Sequence, residues 1–119
     1  MNKVQALDKF WNSFGLLAYD ENSVPEDAKL PYITYDVITS DFGNVLTLNA
    51  SIWDRSYSWK TLQEKEEEIA NYIGRGGLMV SYDGGAFWLR KSSNWAQRMR
   101  DADNAIRRIV LSIEIEFID

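Results

Sequence analysis

Between Val4 and Ala18 the apolar residues Val4, Leu7, Trp11, Phe14 and Ala18 recur at steps of three and four, and Phe10 and Leu17 widen the same stripe. This spacing predicts an amphipathic helix whose apolar face packs on the rest of the fold. The next segment, Asp20 to Pro31 (DENSVPEDAKLP), carries both prolines and a run of charges. A surface loop over 20–31, mobile or interface-forming, is therefore expected after the helix. Tyr32 to Thr39 is rich in β-branched and aromatic residues, and the DFGN turn at Asp41 to Asn44 leads into Val45 to Trp53, where Leu46, Leu48, Ala50 and Ile52 alternate. Together they read as a hairpin. Over Ser56 to Ile73, Trp59, Leu62, Ile69 and Ile73 share a helical face while Glu64, Lys65, Glu66, Glu67 and Glu68 mostly face water. Ser56 or Ser58 is positioned to cap the start of this helix and Gly74 its end.

Leu78 to Tyr82 and Ala86 to Arg90 flank Asp83, Gly84 and Gly85, a second hairpin signal. Lys91 to Ala105 (KSSNWAQRMRDADNA) has no sustained period and reads as a loop, again mobile or interface-forming. The clearest strand comes last: Ile109, Leu111, Ile113, Ile115 and Phe117 alternate with Val110, Ser112, Glu114, Glu116 and Ile118. The order α-β-β-α-β-β-loop-β predicts a single α+β domain over residues 1–119. Its antiparallel or mixed sheet has about five strands, with two main helices on one face.

Length agrees with one core: 119 residues, 45% of them hydrophobic and 26% charged, suit one globular unit and not a disordered tail. Thirteen Lys and Arg against eighteen Asp and Glu leave a charge of −5, which opposes bulk binding to nucleic acid or anionic membrane. The absence of Cys and His removes disulfides, thiol chemistry, zinc ligation by sulfur or imidazole, and histidine acid–base catalysis. Residues 1–18 include Lys3, Asp8 and Lys9 and lack an unbroken apolar core, so neither an export signal nor a membrane span is expected there.

Charge is unevenly spread. Arg90, Lys91, Arg98, Arg100, Arg107 and Arg108 against Asp101 and Asp103 give +6 − 2 = +4 within 90–108, in a chain of −5. Trp88 and Trp95 lie in and beside this stretch, so stacking on single-stranded bases or anchoring of a protein interface both fit it. Pairing with the Glu64 to Glu68 acids, or plain solvation, is the commoner fate of any one of these arginines. The cluster as a whole favours an interface, and the acidic helix and basic stretch could also meet between copies head to tail. Of the five tryptophans, Trp11 and Trp59 suit the core, whereas Trp53 and Trp95 are the candidates for partner contacts.

The Gly74, Arg75, Gly76, Gly77 run follows a helix instead of opening one, so it reads as a helix end and reversal and not as a phosphate loop. Asp101, Asp103 and Asn104 lack the glycine and closing glutamate of a calcium loop. Asp36, Asp54 and Asp83 are the remaining carboxylates for hydrolase chemistry, and nothing in the sequence places two of them together. The expectation is a protein that is not an enzyme and needs no cofactor.

The stretches LPYITYDV (30–37), ASIWDRSYSW (50–59), IGRGG (73–77), YDGGAFWLRK (82–91) and RRIVLSIEIEF (107–117) span nearly the whole chain. In this order they resemble the tail terminator or tail completion proteins of long-tailed bacteriophages and prophages, also labelled minor tail or minor capsid proteins. The resemblance implies a virion subunit, synthesised in the bacterial host cytoplasm, that forms a homo-oligomeric ring, typically a hexamer, on the head-proximal end of the tail tube. It ends tube growth and joins the tail to head-completion proteins of the neck, while genome DNA passes through the lumen without specific binding. On this reading Trp53, Arg55, Arg75, Trp95, Arg98, Arg100, Arg107 and Arg108 are candidate oligomer or docking contacts. A head-side neck component is the nearest alternative, and a single-strand nucleic-acid or protein binding module a more distant one.

Overall fold

A computed structural model of the chain describes residues 1–37 and 45–118. Helix α1 (Lys3–Trp11) starts at a reciprocal cap: the Asn2 Oδ1 accepts from the Gln5 N–H at 2.9 Å, and the Gln5 Oε1 accepts from the Asn2 N–H at 2.9 Å. It ends sooner than the apolar stripe predicts. A 3₁₀ turn (Asn12–Phe14) follows, Gly15 takes φ +81°, and the chain turns away. Leu7, Phe10, Trp11 and Phe14 are buried as expected and Ala6 joins them, whereas Val4, in the first turn of α1, and Leu17, beyond the 3₁₀ turn, are 46% and 64% exposed.

Ala18, expected as the last helical residue, instead opens a short strand, β1 (Ala18–Asp20). The Asn12 side chain makes this possible. Its Oδ1 accepts from the Ala18 N–H at 2.9 Å and its Nδ2 donates to the Ala18 carbonyl at 3.2 Å. Strand β2 (Tyr32–Tyr35) runs parallel to β1 and antiparallel to β3 (Val45–Arg55). The DFGN turn between the latter two lies outside the described residues.

Helix α2 (Lys60–Ile73) begins four residues later than the periodicity suggests, with the Ser58 hydroxyl accepting from the Lys60 N–H at 3.1 Å. Gly74 closes it at φ +75° and donates to the Ala70 carbonyl at 3.0 Å. At Gly77, with φ +93°, a Cβ would sit 2.3 Å from the Trp88 Nε1 and 2.6 Å from the Leu89 carbonyl oxygen. The run is thus a helix end and tight reversal into β4 (Leu78–Tyr82). Asp83 and Gly84 then turn the chain into β5, with Tyr82 opposite Gly85.

Lys91 to Ala105, expected as a loop, is mostly strand. Strand β5 (Gly85–Arg100) runs through most of it and pairs with β6 (Ile106–Ile118) along both halves of its length. Lys91 faces Ile113 and Ala96 faces Leu111, so Ser92–Trp95 forms a bulge with extra residues on β5. Past it, Ala96 to Arg100 pairs with Leu111 to Arg107, and the turn is confined to 101–105.

The fold is α+β, with six strands in the order β1-β2-β3-β6-β5-β4 and every pair antiparallel except β1 and β2. The sixth strand is β1. Helix α2 packs on β3, β5 and β6, and α1 on β1 and β4. Beneath them Ile33, Leu48, Ile52, Phe87, Leu89 and Ile109, Leu111, Ile113 and Ile115 of β6 are 0–2% exposed and belong to one buried cluster.

Candidate functional site

The arginine-rich stretch becomes, in three dimensions, the far end of the β5–β6 ribbon. Since directly opposed residues on neighbouring strands share a face, Arg98 opposite Ile109 and Arg100 opposite Arg107 lie on the helix-bearing side. The start of α2 meets them there. Arg98 and Arg107 each place their guanidinium 5.1 Å from the centre of the Trp59 ring. Such contacts contribute about 0.5–1 kcal/mol at partly exposed sites. The Arg98 Nη2 donates to the Gln63 Oε1 at 3.2 Å, and the Arg107 Nη2 donates to the Tyr57 carbonyl at 3.0 Å. The Arg107 Nε is buried without a hydrogen-bond partner.

Behind Arg98 lies a buried carboxylate. Glu66 is 8% exposed; its Oε1 accepts from the Trp95 indole at 2.6 Å and its Oε2 from the Gln63 Nε2 at 3.0 Å. Trp95, turned inward by the bulge, therefore packs against the core and ties the ribbon to α2. Two hollows flank the cluster. One of about 290 Å³ is lined by Tyr57, Arg100, Asp101, Asn104, Ile106 and Arg107, and another of about 350 Å³ includes Gln63, Glu66, Trp95 and Arg98.

Arg55, at the end of β3, joins this end of the sheet through an ion pair with Asp103 at 3.2 Å. The Asp103 carboxyl is held below its ordinary value, first by the Ala105 N–H and then by Arg55. With the Asp101 Oδ1 accepting from the Asp103 N–H at 3.3 Å, these acids shape the ribbon's turn.

The other candidates lie elsewhere. Trp53 and Arg108 are paired on the opposite face of the sheet: the guanidinium sits 4.6 Å from the ring centre, the Arg108 Nε donates to the Ser51 hydroxyl at 3.0 Å, and the Trp53 indole to the Thr34 hydroxyl at 3.0 Å. Arg75 is exposed after the C-terminal end of α2, roughly 20 Å of helix away from Trp59. Four of the eight, Trp95, Arg98, Arg100 and Arg107, thus form one cluster with Arg55 beside it. Trp59, Gln63 and Glu66 complete it; Trp59, whose helical spacing suits the core, packs against the core half-buried and presents its ring to the arginines.

A second, acidic cluster lies at the β1 edge. The Glu21 carboxyl is raised from its ordinary value, mainly by its hydrogen bond with Asp36, then by burial and the charges of Asp36 and Asp20, with Arg108 pulling it down. The Asp36 Oδ2 also accepts from the Asn49 N–H at 3.1 Å. Of the other carboxylates weighed for hydrolysis, Asp54 accepts from the Arg55 N–H and Asp83 sits in the β4–β5 turn, so the three occupy separate places. Among the described residues no group of three or more His, Cys, Asp or Glu is placed to hold a metal ion.

These features define an α+β protein with surface clusters of opposite charge. No known protein-family model matches the sequence, and no curated protein matches it. Its fold is similar to that of a chain in the solved virion of a native gene transfer agent particle, with a TM-score of 0.64 and 17% identity over 99% of this chain and 87% of that one.

Proposed function

We propose that this chain is a structural subunit of a phage-like virion. The observation that carries the reading is the likeness of fold, over nearly the full length of both chains, to a component of a gene transfer agent virion. Within that class we assign it to the end of the tail. As a tail terminator it forms a homo-oligomeric ring, hexameric as in the proteins its sequence resembles, on the head-proximal end of the tube. One face of the ring stops the tube protein from adding further, and the other receives the head-completion proteins of the neck. Genome DNA crosses the lumen without sequence-specific contacts, and the chain performs no catalysis. The ribbon-end residues Arg98, Arg100 and Arg107, with Arg55, serve subunit or neck docking, and Trp95 holds the ribbon to α2 behind them; Trp53, Arg75 and Arg108 mark further contact surfaces.

Electron microscopy of lysates from a particle-producing strain with an early stop codon in this gene tests the assignment. Filled, unjoined heads beside tubes of irregular and excessive length are expected. Unjoined heads beside tails of normal, uniform length would move the protein to the head side of the neck. Intact, infectious or transducing particles would overturn the structural role.

A further inference from the structure

The two charge clusters lie at different edges of the sheet, and each keeps charges that have no ion-pair partner among the described residues. At the ribbon end, Arg98 and Arg107 spend their hydrogen bonds on neutral acceptors, Gln63 and the Tyr57 carbonyl. Arg100 is exposed and has no hydrogen bond or ion pair among the described residues. Strand β4 reaches along β5 only to Leu89, so among the described residues no strand lies against the outer side of Ala96–Arg100 beyond the bulge. At the β1 edge, Glu21, Glu26 and Asp27 are exposed and Asp20 and Asp36 half-exposed, and none of the five makes an ion pair among the described residues. Crowding of like charge there is felt by Glu21.

One chain cannot bring these surfaces together. Four strand spacings separate β1 from β5, about 19 Å at 4.8 Å each. The acidic run of α2 is no substitute, since α2 already sits against its own ribbon through Gln63 and Glu66, and Lys65 pairs with Glu68 at 3.2 Å. We propose that the acidic 20–27 knuckle of one copy docks on the Arg98–Arg100 edge of the next. Such contact is heterologous: each copy gives one surface and receives the other, so repetition closes a ring or extends a row. Complementary charge fixes the register and suppresses like-with-like pairing. The inference deepens the ring reading proposed above and rests on it.

The chain has no cysteine, which allows a clean test. Asn22→Cys and Gln97→Cys lie at exposed positions beside the charges and leave them intact. Within one chain the two sites are too far apart for a disulfide, which needs Cα atoms within about 7 Å. Mixed under mild oxidation, the two single variants should form the heterodimer in preference to either homodimer, and the double variant should give a ladder of oligomers. Adding Arg98→Glu and Arg100→Glu to the Gln97→Cys chain should abolish the cross-link, and Glu21→Lys with Glu26→Lys in the other chain should restore it. Homodimers formed as readily, or a cross-link indifferent to charge reversal, would overturn the proposal. Loss of duplex DNA retention in the arginine variant, with no cross-linking in any mixture, would assign the arginines to phosphates instead. Because all of this is read on purified protein, failure here leaves the virion role to be decided by tail morphology alone.

Discussion

The sheet has one rim that is closed and another that is open. At β1 a single side chain, Asn12, satisfies both main-chain groups of Ala18, and the Ser23 N–H takes the Asp20 carbonyl at 2.9 Å, so the strand offers little to an incoming chain. At the far half of β5, by contrast, five residues are held by β6 on their inner side and by side chains reaching across to α2, and among the described residues no strand pairs with their outer edge. An exposed edge is a hazard that natural sheets usually cover or charge. Here the closed rim is covered by a local side chain and the open rim is charged with arginine. A strand edge can thus be finished by a local side chain or left open and charged on the same sheet.

The contrast can be broken at either rim. Asn12→Ala should have the largest effect, since it strands two main-chain groups of a residue that is 6% exposed. At about 1–3 kcal/mol for each such group, a loss of roughly 2–6 kcal/mol is expected by urea denaturation. It should also turn the closed rim into an open one, visible as concentration-dependent self-association. Glu66→Ala should come next, at about 1–3 kcal/mol, by leaving the Trp95 indole and Gln63 without their acceptor. Amide exchange should accelerate across Ala96–Arg100 and stay unchanged at β1; equal acceleration at both rims would mean that the ribbon is not separately anchored.

The smallest effect is one of pH. The Glu21 carboxyl is raised by its bond to Asp36, so the protonated form is favoured in the folded chain. Its contribution is complete below the ordinary value of 4.5 and is lost as pH rises through the higher folded value. Glu21→Gln should therefore flatten the fall in melting temperature across that window. An unchanged profile would show that the acidic rim is not electrostatically crowded.

Much of this was legible from residue pattern. The alternation of β6 placed Ile109, Leu111, Ile113, Ile115 and Phe117 on the buried face, and the Asp83–Gly84 turn and the body of α2 were equally readable. The far half of β5 was not. The bulge at Ser92–Trp95 breaks the period-two pattern, and beyond it Ala96 to Arg100 are exposed on both faces, so no apolar signal remains. Strand β1 was hidden for another reason. Its three residues exist through Asn12 and through pairing with β2, and neither contact has a local signature. At the candidate site the arginines and Trp95 could be named from charge and composition. Their convergence on Trp59 depends on the register of β5 against β6, and charge counting cannot supply that register.

The ladder lengths have a mechanical consequence. Pulled between its two rims, the sheet carries tension across its strands, and every ladder in the series bears the same load. Strand β3 pairs with β6 over all eleven of its residues, whereas β1 offers three residues and β2 four. Load per hydrogen bond is therefore lowest in the middle and highest at the β1 rim. A subunit strained by its neighbours should give way first at β1, while the central strands hold their shape.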